Sequence, residues 1–539
     1  MASAPKHGAK SAGAGSTGSL RDRLAAVLPS GHQFGVHHVS TPPTRCEPLC
    51  AAPPGQRPDK TFRESHFLAI SIHHRKQSTA ASLKRASPGA DHTKDADATR
   101  QVLVFAIEVF IFTTAYQTSL FVSKADSTGY LHLLQLPQGS PSPIREVCAT
   151  FLSYLLDNRR RSHVQSVVNL FARAQSQYLF PGSVRNKRKH VLDDWGLVRW
   201  WCKVLNPLME GLSVESWGAT KGYLLVPGLE EKEMRSFIPR TTASAANWVI
   251  GHPLERISHY THELDSVPPR CLIPGYPDDP KSRFRDELDE EVSNRKQSIA
   301  AWKSVKTLDQ FWDMMAFRQE CSSGRLTGFI WLVFDPESGL GASTPRFSPA
   351  PRLSQSRASK KRRRARKKFT GRIIPREPRV KTRVRNYLLD RPTRTRYYYW
   401  PSEGRAERIV DETEYKRIVE LLLHLDFSTL DKAAGSTQRW TSELGSEPCL
   451  GQDMVTGKAA SLRAANGAPN NGQGGNVTNL TGLVRRKTPS QSTTTDSNQE
   501  PGPRPQIPTG TEATSSTTKQ VNLLGANLVR KKKKEVESV

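Results

Sequence analysis

A chain of 539 residues with 36% hydrophobic and 24% charged residues and a formal net charge of +28 is long enough to bury a sizeable core, but too polar to be globular from end to end. The charge is uneven: between Pro351 and Trp400 stand 19 Lys and Arg residues against 2 acidic ones, which places +17 of the total in that stretch. Such a block points to nucleic acid, an acidic protein partner or a nuclear-import receptor, and carries no chemistry of its own.

In chain order, "SLRDRLAAVLP" spaces Leu20, Leu24, Val27 and Leu28 as a short amphipathic helix. "HFLAISIHH" (66–74) reads as a strand, and the polar stretch 75–100 as an insertion loop. "QVLVFAIEVFIFTTAYQTSLFVSKAD" gives two β-rich runs around a polar break, expected as antiparallel neighbours. They are apolar nearly throughout, so helices should cover both faces. "SPIREVCATFLSYLLDNRRR" is a helix that Ser142 can cap, with Pro143 at its first position. "DWGLVRWWCKVLNPLMEGL" is a second helix, and "TLDQFWDMMAFRQE" a third that opens on a capping-box pattern, Thr307 to Gln310. "TGFIWLVF" (327–334) is a further strand, and "VDETEYKRIVELLLHLDF" (410–427) a last amphipathic helix. The mixed order, without regular βαβ alternation, predicts an α/β fold with a mixed central sheet flanked by helices and long disordered tails. The expected organisation is a disordered tail at 1–19, a core at 20–334 and a basic low-complexity segment at 335–405. A helix at 406–434 packs on the core, and a disordered tail fills 435–539, closing on "VRKKKK" (529–534).

No signal-peptide pattern opens the chain and no run of about 18 apolar residues occurs, so no membrane association is expected. The seven cysteines (Cys46, Cys50, Cys148, Cys202, Cys271, Cys321, Cys449) are scattered and odd in number, which fits reduced thiols inside the cell. There the sequons at Asn476 and Asn479 stay bare. Cys46-x3-Cys50, with His37 and His38 nearby, matches no standard zinc spacing, and no metal is expected. Phosphate-loop, GxSxG and HExxH signatures are absent, and the one GxGxxG match, "GAGSTG" (13–18), lies in the tail without a strand before it.

Three stretches are too particular for scaffold. In "FVSKADSTGY" (121–130), Asp126 falls where a strand ends, a place where a carboxylate satisfies turn amides or serves a site. "SQYLFPGSVRNKRKHVLDDWGLVRWW" (176–201) joins Tyr178, the cations Arg185, Lys187, Arg188 and Lys189, His190, and the pair Trp200 and Trp201. A basic loop entering a helix can take a diphosphate or be a solvated charge run. "GYPDDPKSRF" (275–284) sets Asp278 and Asp279 before Pro280 and Lys281, which fits a helix cap as well as a catalytic acid pair.

In this order, "FVSKAD", "SQYLFP" with "KRKH", "WW" and "PDDPKSRF" resemble the fungal acetyltransferases that modify histone H3 at lysine 56, the regulator of Ty1 transposition type. The resemblance runs from about Leu20 to Glu420, outside the 75–100 and 335–370 regions. It implies a CBP-like acetyltransferase architecture. The implied activity is transfer of acetyl from acetyl-CoA to histone H3, at lysine 56 or N-terminal tail lysines. The implied setting is the nucleus, in chromatin assembly, DNA replication and the DNA damage response. Asp279, Asp278, Asp126 and Trp201 match catalytic positions, and Lys281 a lysine that such enzymes acetylate on themselves. Ala125, Asp126, Ser127, Phe171, Tyr178, His190, Val191, Leu192 and Trp200 match the cofactor site. Implied partners are histones H3–H4 and histone chaperones of the NAP family and the anti-silencing type. The stretch after Gly129 lacks a cation where the family can meet the cofactor phosphates. The alternative reading is a non-catalytic basic chromatin or DNA-binding adaptor.

Overall fold

The apolar runs around Thr114–Tyr116 form neighbouring strands at the centre of a mixed sheet that counts eleven strands among the described residues. The computed structural model describes residues 18–75, 99–210, 217–241, 246–293, 302, 304–323, 325–337, 388–445 and 454–459. The basic run 360–368, the terminal cluster 529–534 and the interior of the 75–100 loop lie outside the described residues.

The strands are β1 (Gln33–Ser40), β2 (Thr44–Cys46), β3 (Thr61–Arg75), β4 (Thr99–Thr113), β5 (Gln117–Ser127), β6 (Gln165–Arg173), β7 (Ala219–Leu225), β8 (Trp248–Ile250), β9 (Thr327–Asp335), β10 (Arg408–Ile409) and β11 (Met454–Thr456). Their order is β10-β1-β3-β4-β5-β6-β9-β7-β8, with β11 paired to β1 and β2 to β3. β3 and β4 pair antiparallel as far as Arg75↔Thr99, so the expected insertion joins the two strands of one hairpin. β5 and β6 are parallel, and the chain crosses between them through a helix, as a parallel pair requires. β9 is buried over eight of its nine residues, as its continuous apolar run predicts for a central strand.

The principal helices are α1 (Leu20–Val27), α2 (Pro143–Asn158), α3 (Asp194–Glu210), α4 (Pro280–Ser293), α5 (Leu308–Ser323), α6 (Glu412–Leu423) and α7 (Leu430–Glu443). The main core draws on α1, α2, α3, α6 and α7. A second cluster packs α4 and α5 on Phe329, Trp331 and Val333 of β9. Alternation along β6 divides its side chains between the two, Val168 and Leu170 with the first and Val167 with the second.

Several expectations change. Ser142 stands at the N-cap of α2, but its side chain makes no capping bond; its carbonyl accepts the Glu146 amide instead, at 3.1 Å. The boundary at 434/435 falls inside α7, where Trp440 is wholly buried and its Nε1 donates to the Ile418 carbonyl at 3.0 Å. The end of the basic segment is also packed, with Trp400 fully buried and Arg161 donating to the Tyr397 carbonyl at 2.9 Å. β1 escapes the sequence pattern because His37 and His38 occupy buried positions in it; His38 Nε2 meets His66 Nδ1 at 3.1 Å inside the sheet.

Candidate active site

A cavity of about 350 Å³ opens where β5 ends, between the 3-10 turn Tyr130–Leu134, the segment after β6 and the start of α3. Asp126, next to last in β5, organises one wall. Its Oδ2 accepts from the amides of Tyr178 (2.7 Å), Leu179 (2.9 Å) and Phe180 (3.3 Å), and its Oδ1 from the Ser127 amide (2.8 Å). Lys189 Nζ donates to Oδ1 at 2.7 Å and to Ser183 Oγ at 2.8 Å. With both oxygens engaged, this carboxylate fixes two loops. Asp126 thus satisfies local amides, as a turn carboxylate does, while standing in the cavity wall.

Gly129 follows at φ 84°, and a Cβ there would stand 2.7 Å from the Lys189 backbone. Glycine is required on both counts. It lets the 183–192 loop lie against the strand end and present Arg188, His190, Val191 and Leu192 to the cavity. Asp193 accepts from the Gly196 amide at 2.6 Å and so caps α3, whose first turns bring in Leu197, Trp200 and Trp201. The two indoles meet edge to face at 4.9 Å, and burial pushes the Tyr178 hydroxyl up to about 12.

The acidic pair lies elsewhere. Neither Asp278 nor Asp279 lines the cavity. Asp279 is fully buried and caps α4: its Oδ1 accepts from the Lys281 amide at 3.0 Å, its carbonyl from the amides of Ser282 and Arg283. Its Oδ2 pairs with Lys281 Nζ, itself only 3% exposed. The ammonium also faces the rings of Tyr276 (5.1 Å) and Phe329 (5.4 Å). Burial lowers Lys281 from its ordinary 10.5 to about 7, while the paired carboxylate acts in the opposite sense. Tyr276 stacks on Phe121 at 4.4 Å and shares a bonded cluster with Ser119 (2.7 Å) and Asn169 (3.3 Å).

Of the residues singled out in the sequence, Ala125, Asp126, Ser127, Tyr178, His190, Val191, Leu192, Trp200 and Trp201 share the cavity. Phe171 does not. It lies on the Asn169 face of β6, opposite Phe329, with its ring 6.2 Å from Phe121, and so belongs with the Asp279–Lys281 cluster. Sequence reasoning missed the anchoring bond of Lys189, Tyr276, and Lys124, whose Nζ lies 3.4 Å from Asp278 Oδ2 and 3.6 Å from Glu108 Oε2. Only the place of Lys124, two residues before Asp126, pointed that way. Among the described residues no group of three or more His, Cys, Asp or Glu side chains is placed to hold a metal ion, and no helix is long and apolar enough to cross a membrane.

The histone acetyltransferase KAT11-type domain family matches residues 20–166 and 161–443. The histone acetyltransferase rtt109 of Aspergillus flavus is 36% identical over 589 aligned positions, covering 96% of this chain and 99% of that protein. The rtt109 of Schizosaccharomyces pombe is 35% identical over 247 positions, 43% of this chain and 57% of that protein. The crystal structure of Rtt109 from Aspergillus fumigatus superposes with a TM-score of 0.61 at 35% identity, over 82% of this chain and 99% of that one. Sequence and fold agree, and the chain belongs to the Rtt109 family of KAT11-type histone acetyltransferases.

Proposed function

We propose that this histone acetyltransferase carries acetyl from acetyl-CoA to a lysine of histone H3, lysine 56 or a lysine of the N-terminal tail. It does so in the nucleus, serving chromatin assembly, DNA replication and the DNA damage response. Histone chaperones of the NAP family or the anti-silencing type present H3–H4 to it. The observation that carries this reading is the cavity. Its volume of about 350 Å³ falls in the range of small-molecule sites. Leu192, Leu197, Ile144 and Trp200 give it apolar walls for a thioester, and exposed Arg188, with Lys187 beside it, supplies charge for a diphosphate.

A substrate lysine has a pKa of roughly 10.4 and must shed a proton before its lone pair can attack the thioester carbonyl. The C–S bond then breaks, an amide forms, and the CoA sulfur takes up a proton. In this proposal Trp201 and Tyr178 hold the lysine stem and exclude water, and Asp126 positions the Tyr178 segment through its amide bonds. Asp278, exposed, attracts and orients the incoming ammonium, and Asp279 supports it from below while pairing with Lys281. The ammonium proton passes to a carboxylate of the Asp278–Asp279 pair, and general-base help of this kind is worth about 10²–10⁴-fold. Lys281 is the proposed site of self-acetylation, its lowered pKa easing loss of the proton.

The test is mass-spectrometric mapping of acetylation on H3–H4, with and without a chaperone, for the native chain and Asp279→Asn. Acetyl-lysine on H3 that vanishes in the variant supports the proposal. Silence of the native chain under both conditions rejects H3 as substrate, and equal modification by both chains reduces Asp279 to a helix cap.

A further inference from the structure

We infer that Lys124 is a positioning residue for the Asp279 turn, held in place from behind by Glu108 and Tyr415. The inference rests on the role given to Asp279 above and extends the site to a strand and a helix outside it, β4 and α6.

Four side chains run in sequence across the sheet. Tyr415 of α6 donates its hydroxyl to Glu108 Oε1 at 3.1 Å. Glu108 of β4 is 3% exposed, and its Oε2 makes no hydrogen bond; it lies 3.6 Å from Lys124 Nζ. That ammonium is in turn 3.4 Å from Asp278 Oδ2. Lys124 stands directly across from Glu108 in the β4–β5 ladder, and the register shifts immediately beyond, where Val109 pairs with Val122 and leaves Ser123 over. A bulge of this kind turns a side chain away from the regular pleat, and such bulges collect beside active sites.

Asp278 needs holding. It sits at φ 57°, a left-handed conformation that a non-glycine residue keeps where its surroundings enforce it. An isolated contact between the half-buried Lys124 and the exposed Asp278 would contribute little. The Glu108 carboxylate changes that. A charge this deep requires a cation beside it, so Lys124 is pinned to the sheet and its ammonium becomes a fixed point for Asp278. The next residue along β5 is Ala125, a wall of the cavity. Lys124 thus sets the acidic turn relative to the cavity, and α6, the first long helix after the basic segment, braces it through Tyr415.

The amides of Lys281, Ser282 and Arg283 report the position of Asp279, because all three bond to its atoms. Hydrogen exchange on the full chain should show them opening about tenfold faster in Lys124→Met, with Lys124→Arg restoring protection. In steady-state assays with H3–H4, Lys124→Met should lower kcat about tenfold and leave the KM for acetyl-CoA within about twofold. The double variant Lys124→Met/Asp278→Asn should be no slower than the worse single one, since both cut the same link. Unchanged exchange at the three amides overturns the inference, and so do unchanged kcat or losses that multiply. A native chain inactive on H3–H4 would sink the proposed reaction, while the exchange comparison would still decide whether Lys124 holds the turn.

Discussion

Lys281 and Asp279, two residues apart at the start of α4, form an ion pair closed to solvent at both ends, with one carboxylate oxygen capping the helix and the other meeting the ammonium. The pair joins a routine helix start to an unusual charge state, because burial pulls the lysine toward about 7. At pH 7.5 burial thus raises the neutral fraction of this amine far above the roughly 0.1% of a lysine with pKa about 10.4.

Self-acetylation of Lys281 should therefore rise with pH to about 7 and level off above it, while acetylation of an exposed histone lysine keeps rising. Timed mass spectrometry between pH 6 and 9 reads both. The stability sign follows from the same shift. Between about 7 and 10.5 the unfolded chain binds the proton that the folded chain releases, so this group favours folding as pH rises through that window and opposes it below. The difference in stability between the native chain and Lys281→Gln should carry that slope. Parallel profiles for the two chains would show that Asp279 keeps the lysine charged throughout.

Asp126 makes a separate prediction, since its oxygens accept from four amides and an ammonium. Asp126→Ala strands those donors and should destabilise by about 2–4 kcal/mol, because a buried unsatisfied group costs about 1–3 kcal/mol and several are involved. The KM for acetyl-CoA should rise in the same variant as the Tyr178 and Lys189 segments loosen. A variant with native stability and reduced kcat alone would instead make Asp126 a participant in proton transfer.

Arg188 lines the cavity and is exposed, whereas Lys189 is committed to Asp126. The two neighbours should respond differently. Arg188→Ala should raise the KM for acetyl-CoA about tenfold at low salt, less at 0.5 M salt, and leave thermal stability unchanged. Lys189→Ala should lower stability as well. Equal salt-independent effects from both would show that Arg188 also serves the loop rather than the cofactor.

The legible parts of this protein were those fixed by local pattern. The apolar runs 101–126 and 327–334 declared central strands, and Pro143 marked the start of α2. The cavity residues were legible through family strings, because "KAD", "KRKH" and "WW" each supply a wall. Phe171 went to the other face because alternation along a strand depends on register, which its string does not state. The Glu108–Lys124–Asp278 contacts were invisible for a related reason: they join β4, β5 and the turn before α4, and a bulge at Ser123 sets their direction. The extent of the core beyond residue 434 was hidden by composition, since α7 is built largely from Ala, Ser, Thr and Gly and buries few large side chains.

That helix gives the last prediction. α7 packs against β4: the Leu103 amide donates to Thr437 Oγ1 at 2.9 Å, and Trp440 reaches His37 (5.7 Å) and Phe67 (6.0 Å) of the strands beneath. Small residues allow this close approach, and the one large side chain anchors it. Trp440→Ala should cost about 3–5 kcal/mol, the usual range for deleting a buried tryptophan. A chain ending at Ala434 should lose more, because it also strips the cover from β4 and removes β11 from the edge of β1. Urea denaturation with tryptophan-independent detection, such as far-ultraviolet circular dichroism, compares the three. If the shortened chain unfolds at the native midpoint, α7 is an accessory and the core closes at α6. If it unfolds earlier or fails to accumulate, the polar-looking stretch to residue 445 is part of the enzyme's folded unit.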